Sequence, residues 1–349
     1  MSYTKTDMLS NKIIEIIKLH GSPERPLTQQ QICEYLLSDY ALKPNRKTVA
    51  EHLKGIIAEN ESGKGVYIQA DEVLRNGKPY CTNFYFDAEM TDGEFEFLTD
   101  SVIYSPTIPQ VQIKKIIEAL KLISAGNAAG KLANLEDTFH YNNQSILRFT
   151  EDIKEAIRRG KKIDVTMGEY DPKGMLVDSN DNPFGIKVHR LLLSPYGIVM
   201  SDGFYYLLAN NITDRELRHY RMDKITDVKT ADDEGAVRPI GELENIPQDF
   251  KPEPYKNLNR YMLDGKVERV HVTVKKENIS LVLDTFGNEF ACCNVCGNDE
   301  VYDVTFRANI QTVMRWVIAN RKYVKLTLPK RAVDMVKEEI SALSEMYEN

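Results

Sequence analysis

The stretch His189–Ala209, HRLLLSPYGIVMSDGFYYLLA, constrains this chain more than any other. It reads as two strands that turn at Ser194–Gly197 and again at Ser201–Gly203. Pro pre-sets the backbone of a turn, and Asp-Gly supplies the tight reversal that hairpins favour. Alternation puts Phe204 and Tyr206 on one face, Tyr205 and Leu207 on the other. A polar strand follows at Leu217–Met222, with His219 and Arg221 on a common face. Paired strands carrying Ser, Tyr, His and Arg predict a small barrel with a polar binding wall.

The rest of the chain must be more than this one element. Its 349 residues exceed one ordinary core and suffice for two or three domains. With 42% hydrophobic and 28% charged residues, it belongs with globular rather than disordered chains. No apolar run approaches the about 20 residues of a membrane span, and the start lacks the apolar core of a secretory signal. Five cysteines make no disulfide framework, which points to a reducing cytoplasm. A net charge of −7 argues against general coating of nucleic acid, but it leaves room for a small DNA-reading domain on acidic neighbours.

The first 87 residues have that character. Ser10–Leu19 carries Ile13, Ile14, Ile16 and Ile17 at helical spacing and ends at Gly21-Ser22-Pro23. Thr28, with Gln31 three residues on, caps a second helix that runs to about Asp39. Asn45 caps a third, Arg46–Asn60, with Val49, Leu53, Ile56 and Ile57 inward. Gly63–Phe86 alternates around Asn76-Gly77, a hairpin signal. Three helices followed by a hairpin describe a winged helix-turn-helix, with the third helix as reader. Its candidate DNA contacts are Gln29, Lys43, Arg46, Lys47, Thr48, His52, Lys54 and Lys64. Glu51 shares the outward face with His52, so the face is only modestly basic. Three-helix domains also dock proteins, and the sequence does not separate the two.

Beyond it, residues 88–160 read as a helical linker or dimerisation region. One helix runs from the acidic Asp87–Asp100 to about Tyr104, Pro106 and Pro109 break it, and Gln110–Ser124 and Ser145–Gly160 resume. Short strands between Gly, Asn, Asp and Pro turns fill 161–231, the mark of a compact barrel. Acidic, proline-bearing 232–259 reads as a linker. Residues 260–349 follow the order βαββαβ with an extra terminal helix, a ferredoxin-like pattern in which Trp316 fits the core.

Two segments in this order resemble the signatures of bacterial WYL-domain transcriptional regulators. Tyr205-Tyr206-Leu207 stands where that family has Trp-Tyr-Leu. Tyr220-Arg221-Met222-Asp223-Lys224-Ile225 matches its aromatic-Arg-x-Asp-Arg-hydrophobic run, with Lys224 in place of the second Arg. Met167 stands where the first barrel strand often ends in Tyr, and Tyr170 lies nearby. The resemblance implies an α+β multidomain chain: a winged helix-turn-helix, a helical linker, an Sm-like β-barrel WYL domain and a C-terminal ferredoxin-like extension. It further implies a homodimer that binds double-stranded operator DNA and an anionic effector, single-stranded nucleic acid or a nucleotide. Contacts of the C-terminal extension with effector or partner subunit would fall to Arg307, Arg315, Arg321 and Lys325.

The candidate ligand residues are Tyr170, Ser194, Tyr205, Arg218, His219 and Arg221. Arg221 could pair bidentately with a phosphate, His219 and Arg218 could add donors, Ser194 and Tyr205 neutral ones, and Tyr170 a stacking face. Set against that, Arg221 could simply bridge Asp223 or Glu216. Cys292, Cys293 and Cys296 lack a fourth ligand within reach, so no metal is expected and the thiols read as buried strand residues. No cofactor fingerprint or catalytic constellation stands out, and an enzyme is not expected. The alternative to a regulator is an RNA- or single-strand-binding accessory protein of a defence or CRISPR system, docked through its N-terminal module.

Overall fold

The computed structural model describes residues 5–61, 68–75, 77–87, 90–120, 135, 138–295 and 298–348. The fold is mixed α/β, divided into two compact units: residues 1–105 with 110–139, and residues 106–109 with 140–349. The segment read as a helical linker is thus split between them. Among the described residues, no helix is long and apolar enough to cross a membrane.

In the first unit, α1 (Lys5–His20), α2 (Gln29–Tyr40) and α3 (Arg46–Glu61) precede a hairpin of β1 (Ile68–Arg75) and β2 (Lys78–Phe86). The capping box forms as expected: the Thr28 hydroxyl accepts from the Gln31 amide, and the Gln31 side chain accepts from the Thr28 amide at 2.9 Å. Asn45 Oδ1 accepts from the Lys47 amide at 2.9 Å and starts α3. Ile13, Ile16, Ile17, Ile32, Leu36, Val49 and Leu53 fill one core with Ile68, Phe84 and Phe86 of the hairpin. Helices α4 (Asp92–Ile103) and α5 (Gln110–Leu120) follow the hairpin among the described residues of this unit.

The second unit begins its regular structure with α6 (Ile146–Arg159), which ends on Gly160 at φ 62°. Five antiparallel strands follow in the order β8-β7-β6-β3-β9, where β3 is Ile163–Met167, β6 His189–Ser201, β7 Phe204–Asn211, β8 Leu217–Arg221 and β9 Ile225–Thr230. A two-strand ribbon, β4 (Glu169–Tyr170) with β5 (Leu176–Val177), lies between β3 and β6 in sequence. The Asp202-Gly203 reversal is a two-residue loop with both φ positive, at 50° and 81°. The turn expected at Ser194–Gly197 is instead a bulge inside an unbroken β6, where the register shifts between Pro195 and Gly197. Pro195 brings no N–H to the ladder, and the extra residue lets Tyr196 donate to the Arg238 carbonyl at 2.8 Å. The sheet is not a closed barrel. Among the described strands no ladder joins its edges β8 and β9; the single turn Met222–Lys224 connects them.

Residues 232–259, read as a linker, do more than connect. Leu243 is buried with Val199, Leu208 and Leu217 of the sheet, and Ile240, Ile246, Phe250 and Tyr255 pack around them. Their irregular spacing among prolines and acids hides this role in the sequence. Helix α7 (Pro252–Leu258) ends the segment. The last part of the unit carries β10 (Val267–Lys275), α8 (Ser280–Phe286), β11 (Ala291–Val295), β12 (Asn298–Asn309), α9 (Ile310–Ala319), β13 (Val324–Leu328) and α10 (Lys330–Glu348). Its sheet order, β11-β12-β10-β13, is the interleaving that a split βαβ repeat produces. Trp316 lies in its core, edge-on to Phe286 at 5.0 Å.

Candidate functional site

The end of β8 and the turn that follows build the most constrained corner of the WYL-like segment. Cross-strand pairing sets Tyr206 opposite Arg221 and Leu208 opposite His219, so these four share a sheet face. Tyr205 therefore points to the other face, away from Arg221. Arg221 donates through Nε and Nη2 to the two Asp223 oxygens, at 3.1 and 2.7 Å. Asp223 is fully buried, and the Arg221 side chain is 26% exposed. The guanidinium lies 3.9 Å from the Phe204 ring centre and 5.2 Å from that of Tyr141. Burial works against its charge, but Asp223 and Tyr141 outweigh that and raise its pKa above the usual arginine value.

The turn itself is braced from three directions. Asn143 donates from Nδ2 to the carbonyls of Asp223 and Ile225, at 2.9 and 2.7 Å. Tyr170 donates its hydroxyl to the Asp223 carbonyl at 3.0 Å and packs on Tyr141, with ring centres 4.5 Å apart. Its phenol pKa is pushed up by burial and by the Asp223 charge. The Gly168 amide donates to the Lys224 carbonyl at 2.8 Å. A Cβ at Gly168 would sit 2.0 Å from the Val177 carbonyl oxygen, so only glycine fits there. Lys224 pairs with Glu169.

Of the six candidate ligand residues, the fold brings together Arg221 and Tyr170 and adds Tyr141, Phe204 and Asp223. The others go elsewhere. Ser194 is fully buried and accepts from the Arg238 amide at 3.1 Å, too deep to line a wall. Arg218 is held at 3.0 Å by both Asp214 and Glu216, which cancel its charge. His219 has 2% of its side chain exposed, with Nδ1 3.1 Å from the Met262 carbonyl and Nε2 2.8 Å from the Tyr255 hydroxyl. It joins β8 to the segment around α7 rather than facing a ligand. Tyr141 carried no motif, because its partners lie about 30 to 80 residues away in sequence, at Tyr170, Phe204 and Arg221.

Burial lowers the His219 pKa below that of free histidine, outweighing the nearby Asp264. The neutral ring therefore contributes stability that is complete above the unfolded value of about 6.5. That contribution is lost as pH falls from there through the lowered folded value. His219→Gln, which does not titrate, should flatten this limb of a urea-denaturation pH profile. An unchanged profile would remove His219 as its source.

In the first unit, Lys43, Arg46, Lys47 and Lys54 are exposed around the N-terminal half of α3, and Thr48 is half-buried. Gln29 is committed inward: its Nε2 donates to the Arg46 carbonyl at 2.6 Å, and its Oε1 accepts from Tyr80 at 3.2 Å. His52 is not outward as expected, because its Nδ1 lies 2.7 Å from Ser10 Oγ on α1. Lys64 and Cys296 lie outside the described residues. Cys292 and Cys293 are exposed rather than buried, since β11 is an edge strand of its sheet.

A family model described as the WYL domain matches residues 181–230, which hold β6, β7, β8 and the Arg221–Asp223 corner. No curated protein matches the chain. Among solved structures, all of this chain aligns with proteasome accessory factor B/C (PafBC) of Arthrobacter aurescens, at 14% identity and a TM-score of 0.29, covering 50% of that chain. The chain thus spans about half the length of that relative. It also aligns over its full length with a CRISPR Cas-related protein, at 10% identity and a TM-score of 0.34, covering 88% of that chain. Residues 181–230 of this chain thus match the WYL domain.

Proposed function

We propose that the chain is a DNA-binding transcriptional regulator whose WYL domain senses an anionic effector, a nucleotide or single-stranded nucleic acid. In this reading α1–α3 and the β1-β2 hairpin act as a winged helix-turn-helix, and the five-stranded sheet serves as the Sm-like element, opened at Met222–Lys224. The observation that carries it is the first turn of α3. Arg46 and Lys47 are exposed there, and the turn holds no acidic residue. Cations at a helix N-terminus oppose the helix dipole, an arrangement that a bound phosphate relieves. Lys43 and Lys54 extend the same positive surface.

At the effector corner, Asp223 occupies two of the five Arg221 donors and Tyr141 also hydrogen-bonds the guanidinium; an anion would meet the donors that remain while Phe204 holds the plane. A cytoplasmic homodimer would place two α3 helices on a two-fold operator, with effector binding shifting their spacing.

The test is duplex binding by Arg46→Ala/Lys47→Ala, using fragments from upstream of the protein's own gene. We expect affinity to fall at least about tenfold. The slope of log K against log salt should shrink by roughly 0.9 for each phosphate that is no longer neutralised. An unchanged affinity and slope would remove α3 as the reader.

A further inference from the structure

The apolar stripe of α10 continues past the point where its packing stops. Val333, Val336, Ile340, Leu343 and Tyr347 recur at alternating spacings of three and four, the period of a helical seam. The first two lie against the core of the C-terminal sheet, with Ala332 and Met335 beside them. From Lys337 to Glu348 every residue is exposed. Ile340 is 54% exposed, Leu343 43%, Met346 76% and Tyr347 88%. A surface helix normally buries such a face, and a contiguous apolar patch left in water marks an interaction site. A free-standing helix of this length is also marginal in water, so a partner along the stripe would stabilise it.

The charge around this exposed half is one-sided. Glu338, Glu339, Glu345 and Glu348 stand against the single cation Lys337, which Asp334 holds at 3.3 Å. At about 100° per residue, Glu339 and Glu348 flank the stripe on its two sides, and Glu338 and Glu345 lie behind it. A second copy of α10 would bring a second acidic set beside the first, and like charges along paired helices oppose pairing. The apolar area is modest as well. Four such side chains offer roughly a few hundred Å², short of the about 2,000 Å² or more that a permanent dimer buries. A helix flanked by lysine or arginine suits both features.

We propose that the exposed half of α10 docks a basic amphipathic helix of a partner protein. Ile340, Leu343 and Tyr347 would interleave with apolar side chains at the same three-four spacing on the partner, the mode in which one helix face recognises another. Tyr347 supplies the largest apolar surface and the anchor of the contact. Cations beside the partner's seam would meet Glu339 and Glu348, which sets orientation and choice of partner more than affinity. The α3 cations and the Arg221 corner take no part.

The experiment uses the full chain and two fluorescein-labelled synthetic helices of three heptads each. Both carry isoleucine and leucine at the seam; lysine flanks the seam in one and glutamate in the other. We expect anisotropy to show salt-dependent binding of the lysine peptide and none of the glutamate peptide. Ile340→Ala/Leu343→Ala/Tyr347→Ala should weaken that binding at least about tenfold. Its Tm should be unchanged or higher, because the side chains lost are exposed and alanine favours a helix. Glu339→Lys/Glu348→Lys should reverse the order of the two peptides. No binding of the lysine peptide at about 0.1 mM protein, or equal binding of both peptides, would overturn the proposal. Unchanged binding by the triple alanine variant would overturn it too, since that marks a diffuse attraction to an acidic chain. Light scattering adds a separate check: if the triple variant dissociates an oligomer of the parent chain, the stripe's occupant is a second copy and no partner helix is needed.

Discussion

Asp223→Ala should cost about 3–5 kcal/mol of stability, near the lower figure because Arg221 keeps some access to water. Asp223 has no exposed surface, and its carboxylate takes two hydrogen bonds from one guanidinium. Removing it leaves a half-buried cation against Phe204 and Tyr141 with only the more distant Glu169, itself paired with Lys224, as counter-charge, which costs more than the pair contributes when intact. The double variant Arg221→Met/Asp223→Ala should therefore recover most of the loss, since an apolar side chain suits the aromatic surroundings. Urea denaturation of the three proteins checks this. A loss below about 1 kcal/mol for Asp223→Ala would mean that Asn143 and Tyr170, not the ion pair, hold the turn.

Gly197→Val should be the other severe substitution. A Cβ at Gly197 would lie 2.5 Å from Pro252 Cγ, and the proline ring at the start of α7 cannot rotate aside. Overpacking of this kind costs typically about 1–3 kcal/mol. It also pushes on the helix that carries Tyr255, the partner of His219. Gly197→Val should thus lower stability and weaken the acid limb assigned to His219 in the same denaturation series. Gly55→Ala is the matched contrast: it lies inside α3 with nothing within 4 Å of the added Cβ. There the gain in helix propensity should raise stability by roughly 0.5–1 kcal/mol. Equal effects at the two glycines would mean that α7 gives way easily.

Local chemistry carried the readings that held. The Thr28–Gln31 capping box, the Asn45 cap and the Asp202-Gly203 loop each concern atoms within a few residues, and all three form. Where a reading depended on what covers a surface, it fared differently. Alternation placed His219 and Arg221 on one face, and they do share it. It gave no hint that Tyr255 and Met262 bury the first while Phe204 and Tyr141 flank the second. Ser194 looked like a free hydroxyl until Arg238 closed over it.

Period-two alternation and turn chemistry, read as residues alone, determined the strands of residues 189–222 and which side chains share a face, and the two signature runs within them carried the resemblance that the match at residues 181–230 bears out. Only the tertiary structure decided which polar groups remain available to a ligand. Asp214 and Glu216 cancel Arg218, and Asp223 claims part of Arg221. Charge availability is a property of pairs, and the sequence names the members of a pair without saying which of them meet.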